Sequence, residues 1–359
     1  APGCPGTTAN PGVICTDVTE YDNDWDCNDF FTNDSVSYAR IRSEVDKVSN
    51  AGGPATISWD ALYYNVTFIE DTTPPSVTLQ APLNSTSTNN TAVNFTYFAT
   101  DTRLASCTLY GDFGGSWAPN ETNPSAVSGL ADTFSVTLTQ GSYIWNVECA
   151  DEAPNFGFAT ANFSLTIDTV GPTIVLNQPA TNAFSKNAIQ TFNWTATDIY
   201  DPSLSCDLYI DDVLNQSSIA SSSGVGTTFV SSSLAEGQHS WSISCIDDAL
   251  NRINSPTQNF TIDTTAPTIV LDYPSDLSVF GVVPIEFNWT MTDDLSPNAT
   301  CDLYADGSIN KTFISINNTQ SSQSITGFTG GEHTWYVQCS DLAANVQTSA
   351  TRTITVDTV

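Results

Sequence analysis

Hydrophobic and polar residues alternate with a period of two along much of this chain. In residues 192–196, Phe, Trp and Ala alternate with Asn and Thr, and in residues 287–291 Phe, Trp and Met do the same. Because successive side chains of a β-strand point to opposite faces of a sheet, the alternation predicts strands with one buried face. No segment shows sustained helical periodicity. The sequence therefore predicts an all-β protein.

The strand pattern itself repeats at long range. Residues 70–79, 167–176 and 262–271 share an Asp-Thr step, a proline and then an apolar strand. The aspartates of this step are spaced 97, 95 and 94 residues apart, at Asp71, Asp168, Asp263 and Asp357. That period is close to one β-sandwich of about 100 residues and too long for a solenoid repeat. We expect a rod of three tandem sandwiches, at residues 72–168, 169–263 and 264–359, after a short β-rich domain at 1–71.

Each repeat contains two cysteines at matching places. A Cys-x-Leu-Tyr strand supplies one, and a strand that starts with Trp ends on the other; they are Cys107 and Cys149, Cys206 and Cys245, and Cys301 and Cys339. In the second repeat, Cys206 shares its side of the strand with Leu208 and Ile210. The alternation therefore turns the cysteines toward the core.

These repeats resemble the Ig-like and fibronectin-III-like repeats of prokaryotic surface proteins and large adhesins. Those typically carry Asp-x-Ala-Gly-Asn before an Asp-Thr-Thr-Ala-Pro junction, and the first motif matches residues 151–155, 247–251 and 341–345. Pro154, Leu250 and Ala344 replace its glycine, so we expect this turn to differ in detail. The paired cysteines and Asn-Trp-Thr strands look most like archaeal surface proteins. The resemblance covers residues 72–359 and implies Ig-like domains on a cell surface.

One disulfide in each repeat follows from the repetition, and the family's strand order implies where it lies. The cysteines fall on the third and sixth strands, which are neighbours in one sheet, whereas the antibody bridge joins two sheets. The predicted bridges are Cys107–Cys149, Cys206–Cys245 and Cys301–Cys339; buried free thiols are the alternative. Proximity predicts Cys4–Cys15, and Cys27 then stays free or finds a partner elsewhere.

Composition narrows the location and the partners. The chain has 39 acidic and 8 basic residues and a net charge of -31. Nucleic acid is excluded as a partner and an anionic membrane is disfavoured, because both bind clusters of Lys and Arg. No apolar run approaches the about 20 residues that span a bilayer. Nine cysteines indicate an oxidising compartment. A start at Ala1, with Met291 as the single methionine, is typical of a mature chain whose leader has been removed.

Asn-x-Ser/Thr sequons are frequent, and we expect several to carry glycans. They lie at Asn33, Asn65, Asn84, Asn89, Asn94, Asn120, Asn162, Asn193, Asn215, Asn259, Asn288, Asn298, Asn310 and Asn317. Asn193 and Asn288 occupy the same outward position beside a core Trp, and Asn162 and Asn259 precede the apolar residue of a last strand. We expect these four to be glycosylated first, because an attached glycan must point into water.

The sequence predicts no catalytic centre. His239 and His333 lie two residues before a Trp, where the first repeat has Tyr143. A structural corner entering the sixth strand explains this position better than a catalytic base, because the tyrosine repeat could not perform the same chemistry. No nucleophile elbow, zinc-binding helix or phosphate loop is present. We interpret the acidic pairs as solvated loops; they are Asp211 and Asp212, Asp247 and Asp248, and Asp293 and Asp294.

Calcium is the one ligand to consider, with no other cofactor expected. Asp22, Asp24 and Asp26 offer alternate carboxylates, although the glycine and terminal Glu of an EF-hand are missing. Acidic residues also gather at both ends of each domain. Related adhesin repeats bind calcium at their junctions, but their ligand sets cannot be matched here residue by residue.

The function that the sequence predicts is a glycosylated, non-enzymatic structural subunit of an extracellular filament. Residues 65–71 copy the last strand at 162–168, yet only about seventy residues precede that junction. We expect a neighbouring copy to complete this short domain head to tail through an added strand. A compact domain of another type, or a fragment of a longer repeat protein, are the alternatives.

Other roles also fit such a rod. A surface-layer component, or an adhesin stalk or binding module that recognises a sugar or a host protein, is the alternative function, and an accessory region of a secreted hydrolase is a third. A binding domain would depart from its siblings, as the first repeat does in the aromatic insertion at residues 113–117. A hydrophobic cap on a neighbouring domain explains that insertion equally well.

Overall fold

The computed structural model describes residues 38–44, 61–67, 71–281 and 284–357, the first two ranges as backbone only. Within them every regular element is a strand, which confirms the all-β fold. Cys4, Cys15, Cys27 and Asn33, together with the predicted calcium ligands Asp22, Asp24 and Asp26, lie outside the described residues.

Nine strands recur in each of the three repeats. The first repeat has β3 (Ser76–Ala81), β4 (Thr86–Thr88), β5 (Ala92–Thr100), β6 (Leu104–Gly111), β7 (Ala118–Asn123), β8 (Ala131–Thr137), β9 (Gly141–Asp151), β10 (Phe156–Phe158) and β11 (Phe163–Ile167). The second has β12 (Thr173–Gln178), β13 (Ala183–Ser185), β14 (Ile189–Thr197), β15 (Ser203–Ile210), β16 (Val213–Ser222), β17 (Gly226–Ser233), β18 (Gly237–Ile246), β19 (Arg252–Asn254) and β20 (Gln258–Ile262). The third has β21 (Thr268–Tyr273), β22 (Ser278–Phe280), β23 (Ile285–Thr292), β24 (Asn298–Ala305), β25 (Ser308–Ile316), β26 (Thr319–Ile325), β27 (Gly331–Ser340), β28 (Val346–Thr348) and β29 (Arg352–Val356). Ahead of them, β1 (Tyr38–Glu44) pairs antiparallel with β2 (Ala61–Thr67).

Each repeat is a sandwich of a three-stranded and a six-stranded sheet. In the second repeat the small sheet has the order β12-β14-β17, and the large one runs β13-β20-β18-β15-β16 with β19 beside β18. The first strand region contributes to both sheets, because β12 joins the small sheet and β13 pairs parallel with β20 in the large one. The other two repeats have the same orders. The chain is thus a tandem array of three Ig-like domains.

The alternating residues meet between the two sheets. Phe192 and Trp194 from the small sheet and Trp241 from the large one are buried, and the Phe192 and Trp241 ring centroids lie 5.2 Å apart, edge to face. The third repeat places Phe287 against Trp335 in the same way, at 5.0 Å. Burying such aromatic side chains supplies much of the stabilising free energy of a small sandwich.

A disulfide lies at the centre of each large sheet. Cys206 on β15 and Cys245 on β18 are directly opposed in register and bridged, with their Cα atoms 4.1 Å apart. The bridges Cys107–Cys149 and Cys301–Cys339 occupy the same place in the other repeats. Each therefore joins neighbouring strands of one sheet rather than the two sheets.

Candidate cation sites at the domain junctions

A short connection between consecutive domains is held by one asparagine. Only residues 168–172 separate β11 from β12. The Asn251 side-chain nitrogen donates to the backbone carbonyl of Asp168, 2.9 Å away, and to Oδ2 of Asp247, 2.8 Å away. The Asn251 backbone N–H donates to the other Asp247 oxygen, at 2.7 Å. The loop after β18, the sixth long strand, is therefore hydrogen-bonded to the residue at which the preceding domain ends. We call this arrangement of Asn251, Asp247 and the Asp168 carbonyl the Asn clamp.

All three repeats contain this clamp. The Asn155 side chain donates to the Asp71 carbonyl at 2.9 Å and the Asn345 side chain donates to the Asp263 carbonyl at 2.8 Å, and each also donates to the aspartate of its own motif.

The residues that replace the motif glycine take two different conformations. Leu250 and Ala344 adopt positive φ, 69° and 64°, which is the conformation that glycine takes without strain. Pro154, whose ring fixes φ near –65°, makes a different turn.

Three carboxylates converge beside each clamp. One comes from the junction, one from the loop after the second long strand and one from the clamp motif. The sets are Asp71, Asp101 and Asp151; Asp168, Asp198 and Asp247; and Asp263, Asp293 and Asp341, and in each set one oxygen per residue lies within 4.8 Å of the others. Three equivalent acid clusters thus sit at three equivalent places, and two of them join consecutive Ig-like domains.

The cluster around Asp263 is the most deeply enclosed. The Asp263 side chain is fully buried; its Oδ2 accepts a hydrogen bond from the Ser296 hydroxyl at 2.9 Å, whereas Oδ1 is buried without a partner. Asp293 likewise has a buried Oδ2 without a partner. Burial raises the pKa of Asp263, and the nearby charges of Asp293 and Asp341 raise it further, although the Ser296 hydroxyl opposes them, as does the Thr265 backbone N–H, which acts on the carboxylate without making a hydrogen bond of normal geometry to Oδ1.

The other two clusters differ in their surroundings. Burial raises the pKa of Asp168, and the charges of Asp198, Asp247 and Asp201 act in the same direction. In the first repeat, burial favours a raised pKa for Asp151, but hydrogen bonds from Asn155 and Ala153 and the nearby Arg103 outweigh it and lower the pKa. The first cluster therefore has a cationic neighbour, while the Asp168 and Asp263 clusters carry uncompensated repulsion.

A hard cation is the ligand that matches these donors. Ca²⁺ takes about six to eight oxygen ligands, with carboxylates favoured, so three acids would need carbonyl groups or water to complete the shell. A buried carboxylate oxygen without a hydrogen bond is costly, and a bound cation would relieve both that cost and the repulsion. Asp263, Asp293 and Asp341 fit such an ion best.

These sites correct one interpretation of the sequence. The prediction that Asp247 and Asp293 are solvated loop residues is wrong, because Asp247 is 4% exposed and both belong to junction clusters. The spacing of Asp71, Asp168 and Asp263 carried the signal, because the two other acids recur at matching offsets in every repeat. Their convergence needs the folded loops, so it could not be read from the sequence.

Both histidines lie in structural corners. His239 Nδ1 is 2.7 Å from Asp211 Oδ2, and Nε2 is 2.8 Å from the carbonyl oxygen of Ala235, four residues upstream. His333 repeats this with Asp306 and the Thr329 carbonyl. Both nitrogens of each ring face acceptors, so only the doubly protonated ring donates a hydrogen bond at both positions.

The first repeat builds the same corner with a tyrosine. The Tyr143 hydroxyl donates to the carbonyl of Thr139, also four residues upstream, at 2.9 Å. Asp112 accepts from the Ile144 backbone N–H at 2.8 Å, as Asp211 accepts from Ser240. The corner is therefore a common fold element.

The aromatic insertion of the first repeat divides between core and surface. Phe113 packs on the core, with its ring centroid 5.2 Å from that of Phe95. Trp117 instead lies outside, 42% exposed, stacked on Tyr110 with the centroids 6.1 Å apart. Phe113 therefore serves its own domain rather than capping a neighbouring one.

The sequons differ in accessibility. Eight are exposed, at Asn84, Asn89, Asn94, Asn120, Asn162, Asn215, Asn259 and Asn310, and four are half-buried, at Asn193, Asn288, Asn298 and Asn317; for Asn65, on β2, only the backbone is described. The Asn193 amide nitrogen donates to the Thr227 carbonyl at 3.2 Å, and Asn288 Oδ1 is buried without a partner. Of the four sequons ranked first, Asn162 and Asn259 are therefore the accessible pair.

No protein-family model matches the chain, and no curated protein matches it. Several solved structures are similar. A 1.5-MDa bacterial ice-binding adhesin structure is 16% identical, covers 80% of this chain and 99% of its own, and has a TM-score of 0.31. The tetra-tandem repeat of the extending region of a large adhesion protein is 18% identical, covers 90% of this chain and 83% of its own, and has a TM-score of 0.30. The ICAM-5 D1–D4 ectodomain is 13% identical, covers 79% of this chain and 77% of its own, and has a TM-score of 0.40. At these values the likeness says nothing about what this chain binds. In the described part of the chain, no helix has the length and apolarity to cross a bilayer.

Proposed function

We propose that this protein is a non-enzymatic structural rod of the cell surface, and that copies of it assemble head to tail into an extracellular filament. The observation that carries the proposal is the repeated Asn clamp, found at Asn155, Asn251 and Asn345. A clamp in every repeat suits a chain whose domains must keep a fixed relation under load. Disulfides in each domain suit the oxidising space outside a cell.

Contacts beside the clamp also support a stiff rod. Thr265 lies between consecutive domains, and its hydroxyl oxygen is 3.1 Å from Glu236 Oε1 and 2.9 Å from Asp294 Oδ1, so its one hydrogen can go to either carboxylate. The Lys186 ammonium, in the second domain, donates to the Ala344 carbonyl of the third at 3.4 Å. Short connections with such contacts leave less freedom than a flexible linker.

The N-terminal strands supply the proposed polymer contact. Among the described residues, β1 and β2 pair only with each other. A lone two-stranded sheet is marginal in water, and its open edges accept a further strand. A strand from a neighbouring copy would extend this sheet by β-augmentation. That contact does not close on itself, so it propagates into a filament.

Polymerisation of a truncated chain tests this proposal. The full chain should form sedimentable filaments, and a chain lacking residues 1–67, which include β1 and β2, should remain a single rod. Circular dichroism and intact disulfides in residues 71–357 serve as the control for folding. Normal filaments from the truncated chain would refute the strand-exchange contact.

A second element of the proposal is a divalent cation, with calcium the best match, at the junctions. The buried Oδ1 of Asp263 without a partner favours it, because such an oxygen costs about 1–3 kcal/mol. Asp263, Asp293 and Asp341 would hold the ion, which would supply positive charge between the last residue of one domain and two loops of the next.

Calorimetry of the full chain tests the cation. Titration with Ca²⁺ should release heat until a fixed number of ions per chain is bound, and Asp263→Asn should lower that number by one. Asp212→Asn changes the charge equally on an exposed turn and should bind as the unmodified chain does. Equal binding by both variants would contradict a site at Asp263.

A further inference from the structure

An aromatic surface on the first domain lies beside an accessible sequon. Trp117 and Phe158 are each 42% exposed, and Tyr110 lies between them, 6.1 Å from Trp117 and 5.1 Å from Phe158 by ring centroids. Trp117 and Phe158 border a shallow depression that also includes Asn146 and Asn162. Exposed aromatic side chains grouped around a depression mark a binding surface more often than chance exposure does.

The orientation of the Asn162 amide is fixed by a buried neighbour. Asn146 is 2% exposed; its nitrogen donates to the Ala159 carbonyl at 3.1 Å, and its oxygen accepts from the Val147 backbone N–H at 2.7 Å. These backbone partners leave no freedom to exchange the oxygen and nitrogen of Asn146. Its second hydrogen points to Asn162, 2.8 Å away, so the Asn162 atom there must be the oxygen.

The Asn162 nitrogen is consequently the free atom of that side chain. Asn162 is exposed, and within the described residues its Nδ2 donates to no acceptor. N-glycosylation attaches the sugar to this atom. The structure thus presents the acceptor nitrogen of the sequon at the rim of the aromatic depression.

We propose that Asn162 carries an N-linked glycan whose first sugars pack against Trp117 and Phe158. In the transfer, Nδ2 forms a bond to the anomeric carbon of a sugar on a polyprenyl-phosphate donor. The bond between that carbon and the phosphate oxygen breaks, the phosphate leaves with the electron pair, and the proton lost from Nδ2 passes to the solvent. A sugar ring presents C–H groups on one face, and these pack on an aromatic face while its hydroxyls stay in water.

The second repeat offers a matched control within the same chain. Asn259 is an exposed sequon on the corresponding last strand, where it is the second residue of β20 and directly precedes the apolar Phe260. Its repeat has Asn254 where the first has Phe158 and Ser242 where the first has Asn146, and it lacks the insertion that supplies Trp117. A glycan on Asn259 therefore has no aromatic surface of this kind beside it.

The proposed contact is independent of filament formation, and its test uses single full-length chains. Glycopeptide mass spectrometry of the natively produced protein should show Asn162 occupied. Hydroxyl-radical footprinting then compares the glycoprotein with its Asn162→Gln and Asn259→Gln variants. Oxidation of Trp117 should rise at least about twofold in Asn162→Gln, because Tyr110 already stacks on the ring and a sugar would cover much of the area that remains exposed. It should stay unchanged in Asn259→Gln.

Three outcomes would overturn the proposal. A bare Asn162 would leave no glycan to pack. An occupied Asn162 with equal Trp117 oxidation in Asn162→Gln would mean that the glycan extends into solvent. Protection of Trp117 that persists in Asn162→Gln and disappears on dilution would assign the aromatic surface to a second copy of the chain.

Discussion

The histidine corners make the second and third domains sensitive to pH, whereas the tyrosine corner does not. Burial acts to lower the pKa of His239, but the Ala235 carbonyl and the Asp211 carboxylate outweigh it, so the pKa is raised. For His333 the Thr329 carbonyl and Asp306 raise the pKa against the opposing effect of burial. We therefore expect each corner to bind its proton more tightly in the folded than in the unfolded chain.

The sign of the effect follows from that difference. Below about pH 6.5, the ordinary histidine pKa, the ring is protonated in both states and the corner contributes its full stability. As the pH rises through the higher folded pKa, the proton leaves and this contribution is lost. A hydrogen bond to a charged group contributes about 1.5–3 kcal/mol. Because the Asp211 side chain is 49% exposed, water screens this interaction, and we expect each domain to lose about 1–2 kcal/mol of its free energy of unfolding.

His239→Tyr isolates this contribution. The tyrosine hydroxyl should reach the Ala235 carbonyl as Tyr143 reaches Thr139, so the corner survives without a titrating group. Urea unfolding followed by pulsed hydrogen exchange, read separately for peptides of each domain, should show that the second domain loses less stability between about pH 6 and pH 9 in the variant than in the unmodified chain. The third domain of the same molecule keeps His333 and should still lose stability.

The comparison also separates the corner from the junction acids. Asp168 and Asp263 have raised pKa values as well, and their effect on stability has the same sign. Their contribution is common to the variant and the unmodified chain, so it cancels in the difference. If the second domain loses as much stability with rising pH in His239→Tyr as in the unmodified chain, the loss does not come from His239. An unmodified second domain that becomes more stable as the pH rises would also refute the assignment.

Three further changes have defined outcomes. Asp263→Asn should raise the melting temperature in a chelator and lower it in excess Ca²⁺, since it removes both the repulsion and the ligand; calorimetry showing one sign in both buffers would contradict this. Asn345→Ala should destabilise the third domain by about 1–2 kcal/mol in urea unfolding, because it leaves the buried Asp341 carboxylate short of a donor. Leu250→Gly should stabilise the second domain by about 1 kcal/mol, because Leu250 is exposed and at positive φ. An unchanged urea midpoint in Asn345→Ala or in Leu250→Gly would contradict the expectation for that variant.

The regular part of the fold could be predicted because its signals are local. Alternation in residues 192–196 identifies a strand and its buried face, and in the structure Phe192, Trp194 and Ala196 are buried. The repeat at Asp71, Asp168 and Asp263 counts the domains without any tertiary information. The histidine corner followed from comparing the repeats, because Tyr143 occupies the same position.

The junction sites could not be predicted because they depend on loops that meet only in the folded chain. Asn251 reads as one member of a turn motif, and nothing in its sequence neighbourhood indicates a bond to Asp168, 83 positions away. Similarly, alternation places Asn193 on the outer face, but it cannot show that Asn177 from the neighbouring strand donates to it. An outward position is therefore not the same as an accessible one.

Electron microscopy of surface material purified from the native cells distinguishes a head-to-tail filament from every other arrangement of this chain. We expect unbranched filaments in which this chain is the main component, with rod-shaped subunits joined end to end. Chelation should make the filaments more flexible if cations hold the junctions. Isolated rods, or a planar lattice with sideways contacts, would contradict a filament built by head-to-tail strand exchange.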